Sequence, residues 1–358
     1  MTGGTQLAWA VVEHGEPLRK IQLPIPEPVG TEVLVKVTHC GVCHTDLHIA
    51  EGSYDLGEGE RMYVKDRGIT LPRALGHEIV GIVARLGPDV SPKEAILGAS
   101  RVVYPWVGCQ KCDRCMDGDD NICAAPANRG SLTHGGFAQY ITVPHPRYLV
   151  DYGNVDPALA CTYGCSGLTV LSSIQKLMPL RPTDPILIIG AGGLGLAAIS
   201  MLLALGHEHT IVADVSVEKL NVALKAGATA VIDSSTGDAI QNTIAAAGRP
   251  LAGAIDFVCN QQTTAFALGS IGKGGKVVAV GIMGGSARVP MVPFILTSKS
   301  LLGNMVGTVE HLRKVAEIAQ SGRLKPIPIT NVPWEQANEA MQLLGAGKVA
   351  GRLVLVHE

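Results

Sequence analysis

The chain has 358 residues, of which 47% are hydrophobic, 17% are charged and 4% are aromatic. At about 100–200 residues per domain, this length predicts two domains, each with a core of its own. Lysine and arginine together number 29, against 31 aspartate and glutamate residues. The chain therefore has no basic field to hold nucleic acid or an anionic membrane, and small molecules are the expected partners.

One apolar stretch, Ile186 to Gly206, has the length of a membrane span but is interrupted by four glycines near its start. That pattern predicts a short buried strand, a turn and a buried helix, so no membrane span is expected. The first residues, Met1 to Thr5, lack the basic and then apolar order of a signal peptide. Nine cysteines, an odd number, suit a reducing compartment, and we expect a cytoplasmic protein.

The first part of the chain, from Ala8 to about Val150, alternates short β-rich runs with turn residues. The clearest runs are Glu32 to Val37, Ile79 to Val83 and Tyr140 to Val143. Alternation of this kind, with proline and glycine between the runs, predicts an antiparallel barrel or sandwich.

From about Gly167 to Met305, apolar strands alternate with helical segments, which predicts a parallel, doubly wound sheet. The candidate strands are Ile186 to Ile189, Thr210 to Ala213, Ala230 to Ile232, Ala254 to Val258 and Lys276 to Val280. The rest of the chain mixes both types, with helices expected from about Glu310 to Ser321 and Glu335 to Leu344 and a closing strand at Arg352 to Val356.

A glycine loop follows the first of these strands directly, as Gly190-Ala191-Gly192-Gly193-Leu194-Gly195, and an apolar helical stretch comes next. In this context G-x-G-x-x-G predicts a dinucleotide site: Gly190 permits the tight turn, Gly192 admits the pyrophosphate and Gly195 lets helix and strand approach. Asp214 ends the next strand, where a carboxylate accepts hydrogen bonds from ribose hydroxyls and repels a 2′-phosphate. NAD is therefore favoured over NADP.

Four cysteines lie close together with the spacing C-x2-C-x2-C-x7-C: Cys109, Cys112, Cys115 and Cys123. Four thiolates at such spacing can enclose a tetrahedral zinc with no open position, which is typical of a structural site. An iron–sulfur cluster is the alternative, although its common spacings differ from this one.

A second group of metal-binding residue types comes from distant segments. It comprises Cys43, His77 and either Cys161 or Cys165. Two cysteines and one histidine leave a fourth coordination position free, which is typical of a catalytic zinc. Taken singly, His77 could be a core histidine, and Cys40 with Cys43 could be a redox pair.

The segments Cys43-His44-Thr45-Asp46-Leu47-His48 and Gly76-His77-Glu78, together with the four-cysteine lobe, resemble the zinc-containing alcohol dehydrogenases of the medium-chain dehydrogenase/reductase superfamily. The glycine loop with Asp214, and Gly351-Arg352, extend the resemblance over nearly the whole chain. It implies a GroES-like β-rich catalytic domain, residues 1–166 and 306–358, with a zinc lobe at about 108–124. Residues 167–305 would form a Rossmann NAD-binding domain.

The resemblance also implies two zinc ions per chain. Cys43, His77 and Cys165 would bind the catalytic zinc; Cys165 is preferred to Cys161 because it begins a Cys-x-x-x-Thr pattern that ends at Thr169, behind the nicotinamide. The four-cysteine lobe would bind the structural zinc. Asp46 would orient His77, and Glu78 would lie close behind the metal.

Further roles follow from the same resemblance. His44 and Arg352 would contact the pyrophosphate, and Lys219 would reach the adenosine ribose. Thr45 would take the proton of the alcohol and pass it through the cofactor ribose to His48, which exchanges it with solvent.

Tyr54 and Trp106 fall where the family lines its substrate pocket with aromatic residues, which suits an apolar alcohol. The chain departs from compact family members between Ser53 and Pro72, where a longer charged segment is expected on the surface with little core of its own. Because it starts at Tyr54, this segment is expected to shape the substrate entrance or a subunit contact beside it.

The implied activity is reversible hydride transfer between a primary or secondary alcohol and NAD, giving an aldehyde or ketone. A polyol dehydrogenase and a zinc-free enone or quinone reductase of the same superfamily are the enzymatic alternatives, and a non-enzymatic protein that kept the fold is a third. A homodimer or homotetramer is expected from the resemblance.

Overall fold

The computed structural model describes residues 4–357, so most of the Met1 to Thr5 segment lies outside the described residues. The strands are β1 (Thr5–Val11), β2 (Arg19–Pro24), β3 (Val33–Gly41), β4 (Ser53–Gly57), β5 (Glu60–Tyr63), β6 (Arg73–Ala74), β7 (Glu78–Leu86), β8 (Ser100–Val103), β9 (Tyr140–Val143), β10 (Leu149–Val150), β11 (Ile186–Ile189), β12 (Thr210–Asp214), β13 (Ala230–Asp233), β14 (Leu251–Asp256), β15 (Ile271–Ala279), β16 (Ser300–Gly303), β17 (Ile329–Pro333) and β18 (Arg352–Val356). The helices are α1 (His44–Glu51), α2 (Asp113–Met116), α3 (Pro157–Cys161), α4 (Ser166–Leu177), α5 (Gly193–Ala204), α6 (Val217–Ala226), α7 (Ala239–Ala247), α8 (Gln261–Ser270), α9 (Met291–Leu296), α10 (Val309–Gln320) and α11 (Ala337–Gly345).

The β-rich half is built around a seven-stranded sheet in the order β10-β8-β7-β3-β18-β17, with β9 also paired to β3. Its pairs are antiparallel except for β17 with β18. A smaller sheet, β2-β1-β6, lies beside it. Because β17 and β18 come from the end of the chain, both ends of the sequence build this half, which the sequence predicted as β-rich.

The other half is a six-stranded parallel sheet in the order β13-β12-β11-β14-β15-β16. The side chains of β11 are buried on both faces, as expected for a central strand covered by helices on both sides. The sequence predicted five of these strands and missed β16. Four residues, Ser300 to Gly303, with alternating half-buried and exposed side chains, do not stand out from a loop in the sequence.

The segment between Ser53 and Pro72 folds as a hairpin of β4 and β5 followed by one 3-10 turn, Val64–Arg67. The expectation of a surface segment with little core is wrong in part. Tyr54, Val64 and Ile69 are buried in the main hydrophobic cluster, while the tip of the hairpin is exposed. These apolar residues are single and widely spaced among charged ones, so the sequence pattern does not reveal that they anchor the segment in the core.

Helix α4 lies between the two halves and positions much of the site. Its apolar side packs in one continuous cluster with the parallel sheet and with α10, through residues such as Leu168, Ile174, Ile188 and Val315. Truncating a buried leucine at such a place costs about 2–5 kcal/mol of stability. No helix within residues 4–357 is long and apolar enough to cross a membrane.

Candidate active site

The glycine loop turns sharply between β11 and α5. Gly190 has a φ of +96°, which favours glycine, and a Cβ at Gly195 would overlap the Gly190 carbonyl oxygen. Around Gly192 a Cβ would meet no atom within 4 Å, so the backbone there is open to a ligand. The N-terminus of α5 begins at this space, and a helix N-terminus suits a pyrophosphate. Leu194 is half-buried against the core.

Asp214, at the end of β12, holds the glycine loop in place. One carboxylate oxygen accepts a hydrogen bond from the Ala191 N–H over 2.7 Å, and the other accepts one from the Ser216 N–H over 2.9 Å. The Lys219 side chain is half-buried in the first turn of α6. The sequence did not suggest that Asp214 also fixes the loop.

Three potential metal ligands meet where the two halves join. The sulfur atoms of Cys43 and Cys165 and a ring nitrogen of His77 all lie within 4.8 Å of one another, and all three residues are buried. Cys43 immediately precedes α1, His77 precedes β7, and Cys165 immediately precedes α4. Three elements from distant parts of the chain thus bring the ligands to one point.

Asp46 organises this group from behind. Its carboxylate accepts hydrogen bonds from the N–H of Cys43 over 2.9 Å and of Gly76 over 3.1 Å, and lies 3.4 Å from His77 Nδ1. His77 Nε2 is buried and has no hydrogen-bond partner within the described residues. An imidazole held by a carboxylate on one nitrogen, with the other nitrogen free beside two thiols, fits a zinc ion.

The charges around the three ligands also suit a cation. A hydrogen bond from the Cys165 thiol, together with His77, lowers the pKa of Cys43 well below its ordinary value, against the effect of burial. Burial opposes protonation of His77, but Asp46 and Cys43 raise its pKa well above its ordinary value. The lowered pKa of Cys43 favours the thiolate that binds zinc, whereas the raised pKa of His77 favours an imidazolium, whose Nε2 proton a zinc ion would have to displace.

Cys161 and Cys40 lie nearby but do not join the group of three. The Cys161 thiol donates to the Ala158 carbonyl oxygen over 3.2 Å, inside α3. Burial raises the pKa of the Cys40 thiol and of the Cys161 thiol well above the ordinary value for cysteine, so both thiols stay neutral. Geometry therefore brings Cys165, and not Cys161, to Cys43 and His77.

Glu78 and Arg352 form a buried ion pair behind the three ligands. Burial raises the pKa of Glu78 to about 7, although Arg352 opposes that shift. Arg352 also lies against the glycine loop, because a Cβ at Gly193 would overlap its side chain. The pair links the metal ligands to the glycine loop across the cleft. Its partners are 274 residues apart, and the family resemblance implies a separate role for each of them.

The four-cysteine lobe closes around one point. The sulfur atoms of Cys109, Cys112, Cys115 and Cys123 all lie within 4.8 Å of one another. The Cys109 and Ala125 N–H groups each donate to Cys123 Sγ over 3.3 Å. Backbone hydrogen bonds from Lys111 and Cys112 lower the pKa of Cys109 to about 6. Four sulfurs, supported by N–H donors, fit a closed tetrahedral zinc site.

Comparisons with known proteins agree with this geometry. Residues 30–152 match the family model for the alcohol dehydrogenase GroES-like domain, and residues 193–321 match that for the zinc-binding dehydrogenase. An NAD-dependent alcohol dehydrogenase of Sulfurisphaera tokodaii is 33% identical over 98% of this chain and 99% of its own length. The chain belongs to the zinc-containing alcohol dehydrogenases.

Two further matches bear on this dehydrogenase. A D-arabinose 1-dehydrogenase (NADP(+)) of Saccharolobus solfataricus is 32% identical over 96% of this chain and 95% of its own length. The crystal structure of the alcohol dehydrogenase from Aeropyrum pernix superposes with a TM-score of 0.87 at 28% identity, covering 98% of this chain and 99% of that one. The GroES-like and Rossmann-type architecture is thereby confirmed, and the chain is an NAD-dependent oxidoreductase.

Polar groups of the dehydrogenase surround the three ligands on the cleft side. The Thr45 hydroxyl lies 3.9 Å from Cys43 Sγ, and His44 is exposed beside it at the start of α1. His48 Nε2 is buried without a partner within residues 4–357, as is the Thr169 hydroxyl on α4. These unpartnered groups fit a cofactor and substrate held in the cleft.

Two aromatic residues of the dehydrogenase stand beside these groups. The Tyr54 ring lies 5.1 Å from the His48 ring between centroids, and the Trp106 ring lies 5.2 Å from the His77 ring. Trp106 uses its only polar atom to donate to the Gly164 carbonyl oxygen over 2.9 Å. The indole therefore presents apolar surface to its surroundings.

No motif in the sequence predicts a role for Asn304. Its side-chain amide donates to the hydroxyls of Ser172 and Ser173 and to the Val306 carbonyl oxygen, each over 3.0 Å. It thus fastens α4, which follows Cys165 and carries Thr169, to the chain that leaves the parallel sheet. The sequence offers one weak sign of this role, a single asparagine directly after β16.

Proposed function

We propose that the enzyme catalyses the reversible NAD-linked oxidation of primary or secondary alcohols to aldehydes or ketones. The observation that carries the proposal is the buried group of Cys43, His77 and Cys165 with a free His77 Nε2. These residues would hold the catalytic zinc, and the four-cysteine lobe would hold a second, structural zinc. When bound, zinc supplies Lewis-acid activation of the alcohol, and NAD accepts the hydride.

We infer that the protein residues around the ligands handle the proton. Thr45 hydrogen-bonds the alcohol hydroxyl and draws its proton away. His48 exchanges the proton with solvent through the 14% of its side chain that is exposed, and Glu51 lies 3.7 Å from its Nδ1. Asp46 holds His77 in position, and the pair of Glu78 with Arg352 balances charge behind the site.

Removal of the Thr45 hydroxyl is expected to reduce the rate more than removal of the His48 imidazole. Thr45→Ala should lose about a hundredfold or more in kcat, because a positioned proton-transfer group is lost. His48→Gln should lose about tenfold or less, because water partly replaces an outer group. Steady-state rates with one good alcohol measure both, with zinc content unchanged. Full activity of Thr45→Ala would contradict the proton route.

The pH profile gives the relay a second test. Burial lowers the pKa of His48 below its ordinary value, against the effect of Glu51, so the imidazole is neutral at pH 7 and can accept a proton. Alcohol oxidation should therefore fall only at pH values below about 6.5, as the imidazole becomes protonated. His48→Gln should lose this acid limb, whereas His209→Gln, before β12, should keep it.

For the cofactor, we propose NAD held by the glycine loop, with His44 and Arg352 near the pyrophosphate, Lys219 and Asp214 near the adenosine ribose, and Thr169 behind the nicotinamide. The loop geometry and the unpartnered Thr169 hydroxyl support this arrangement. Asp214 disfavours a 2′-phosphate by like charge.

Replacement of Asp214 by serine should weaken NAD binding and move the preference towards NADP by about 1–3 kcal/mol. Asp214→Asn, which keeps an acceptor oxygen for the Ala191 N–H, separates the charge from the loop contact. The ratio of kcat/KM for NAD to that for NADP measures the shift, with exposed Asp238→Ser as the control. A preference for NADP in the unaltered enzyme would contradict the role of Asp214.

The aromatic walls favour an apolar alcohol over a polyol. The Trp106 ring lies beside His77 and the Tyr54 ring beside His48, and a wall of such rings gains more from an alkyl or aryl group than from several hydroxyls. The sugar-oxidising relative makes a polyol or sugar the second candidate. A panel of alcohols and polyols at equal concentration decides between them, and higher kcat/KM with polyols would contradict the first.

We propose domain boundaries at 1–166 with 306–358 for the catalytic domain, its zinc lobe at about 108–124, and 167–305 for the Rossmann domain. The strands β11 to β16 all fall in the last range.

We also propose a homodimer or homotetramer that uses the free edge of β16. Within the described residues β16 pairs only with β15, and the neighbouring apolar side chains of α9 are exposed, including Leu296 at 76%. Nine unpaired cysteines support a cytoplasmic location.

A further inference from the structure

The hairpin of β4 and β5 touches the opposite half of the molecule. We name Ser53–Tyr63 the cleft hairpin and residues 281–290 the facing loop. The cleft hairpin directly follows α1, which carries Thr45 and His48, and the facing loop follows β15 of the parallel sheet. The Gly285 N–H donates a hydrogen bond to the Asp55 carbonyl oxygen over 3.1 Å. This contact joins the two halves beside the active site.

The contact is too close to admit any side chain at two glycines. A Cβ at Gly57 would lie 2.6 Å from the Ser286 backbone nitrogen, and a Cβ at Gly284 would lie 2.6 Å from the Asp55 carbonyl oxygen. Each segment thus presents bare backbone to the other. A methyl group at either position would push the cleft hairpin and the facing loop apart, since neither neighbour is the end of a flexible side chain.

On the substrate side, the contact is continuous with the wall of the cleft. Tyr54 directly precedes Asp55 and is 7% exposed, and its ring is tilted by 35° against that of His48. The Arg67 guanidinium lies over the Tyr54 ring, 5.6 Å from its centroid. A displacement of the cleft hairpin would therefore shift the aromatic wall beside His48.

On the cofactor side, the facing loop is tied to the glycine loop. The Met283 N–H donates to the Val258 carbonyl oxygen over 3.2 Å. Val258 in turn lies against Gly190, where a Cβ would come within 3.1 Å of its side chain. Two contacts thus separate the cleft hairpin from the turn proposed to hold the pyrophosphate.

We propose that the cleft hairpin and the facing loop form a clasp that limits the separation of the two halves, and that this clasp slows NADH release and restricts access of bulky alcohols. The inference rests on the proposed function of the cleft. When the halves separate, the hydrogen bond from Gly285 to Asp55 must break. Weakening the clasp therefore lets NADH leave faster and moves Tyr54 away from the substrate entrance.

The glycines of the two segments provide matched variants. Gly57 and Gly59 have φ values of +87° and +86°, and Gly284 and Gly285 have values of +97° and +94°, so alanine strains the backbone alike within each pair. A Cβ at Gly59 or Gly285 meets no atom within 4 Å, whereas one at Gly57 or Gly284 meets the opposite segment. Only Gly57→Ala and Gly284→Ala should open the clasp.

The test measures NADH dissociation by stopped-flow fluorescence and the ratio of kcat/KM for a bulky alcohol to that for a small one. We expect Gly57→Ala and Gly284→Ala each to release NADH about fivefold faster than their partners, the change expected for one lost hydrogen bond. The bulky-to-small ratio should rise with it. Because both variants break one contact, the double variant should gain little more than either single variant.

Equal NADH dissociation rates within both pairs would overturn the clasp, provided that the unaltered enzyme binds NADH. Failure of the unaltered enzyme to bind NADH would overturn both the clasp and the proposed function. Thermal unfolding of the four variants serves as the structural check. Backbone strain should lower the midpoint alike within a pair, and the broken contact should lower it by only about 2–4 °C more in Gly57→Ala and Gly284→Ala. A clasp therefore shows as faster NADH release with no more than this small difference in stability.

Discussion

Cys43→Ser enzyme is expected to retain one zinc per chain and to lose at least about a thousandfold in NAD-linked alcohol oxidation. The expectation follows from burial of all three ligands, since a serine hydroxyl is a poor zinc ligand and two remaining ligands cannot hold the ion tightly. His77→Ala and Cys165→Ser should behave alike, because each removes one ligand from the same group.

Two neighbouring cysteines provide the controls for this experiment. Cys40→Ser and Cys161→Ser alter buried thiols beside the site without touching the group of three. Both should keep two zinc ions and most of the activity, after allowance for a modest loss of stability. Loss of the catalytic zinc from Cys161→Ser, with Cys165→Ser unaffected, would contradict the assigned ligands.

The second large effect is expected in the four-cysteine lobe. Cys112→Ser should lose the other zinc and lower the midpoint of thermal unfolding by roughly 10 °C, since zinc binding contributes several kcal/mol to folding and each kcal/mol is worth about 2–4 °C. The lobe contacts the rest of the enzyme through the hydrogen bond from the Asn121 amide to the Met305 carbonyl oxygen, over 2.7 Å, and through those that Arg147 and Tyr148 donate to Asp120. Its unfolding should therefore weaken packing near the cleft.

Activity distinguishes this lobe from the catalytic site. Cys112→Ser enzyme assayed well below its lowered midpoint should keep the catalytic zinc and a substantial kcat, because none of the lobe sulfurs reaches the group of Cys43, His77 and Cys165. Cys259→Ser, in neither cluster, should retain both zinc ions and the original midpoint to within a few degrees. An unchanged midpoint after loss of the lobe zinc would contradict a structural role.

The sequence predicted those parts of the site that are encoded by neighbouring residues. The glycine loop needs a positive φ at Gly190 and no side chain at Gly195, and both demands appear as glycines at fixed spacing. The lobe cysteines occur within one short segment. The three proposed zinc ligands were recognisable because their residue types differ from the surrounding apolar core and because they match a known family.

Contacts that depend on distant segments could not be predicted. The buried pair of Glu78 with Arg352 joins strands from opposite ends of the chain, and its space is left by Gly41, where a Cβ would overlap the glutamate. Nothing in the local sequence pairs these three positions. The second role of Asp214, as an acceptor for the Ala191 N–H, likewise depends on how closely β11 and β12 approach.

The cleft hairpin illustrates the same limit. Charged and glycine-rich sequence between Ser53 and Pro72 predicted a surface segment with little core, which holds for its tip, but its core contacts come from widely spaced Tyr54, Val64 and Ile69. Its contact with the facing loop uses backbone atoms on both sides. In a sequence, the one sign of a close backbone contact is a glycine, and glycines also occur in turns and at helix ends, so the contact cannot be predicted from them.

Native mass spectrometry of the purified enzyme, with metals retained, tests the proposed zinc chemistry most directly. We predict two zinc ions per chain in the unaltered enzyme and one in Cys43→Ser, with NAD-linked alcohol oxidation lost together with the missing ion. The same spectrum gives the number of subunits. One zinc or none in active, unaltered enzyme, or full activity in Cys43→Ser with a single zinc, would contradict a catalytic zinc held by Cys43, His77 and Cys165.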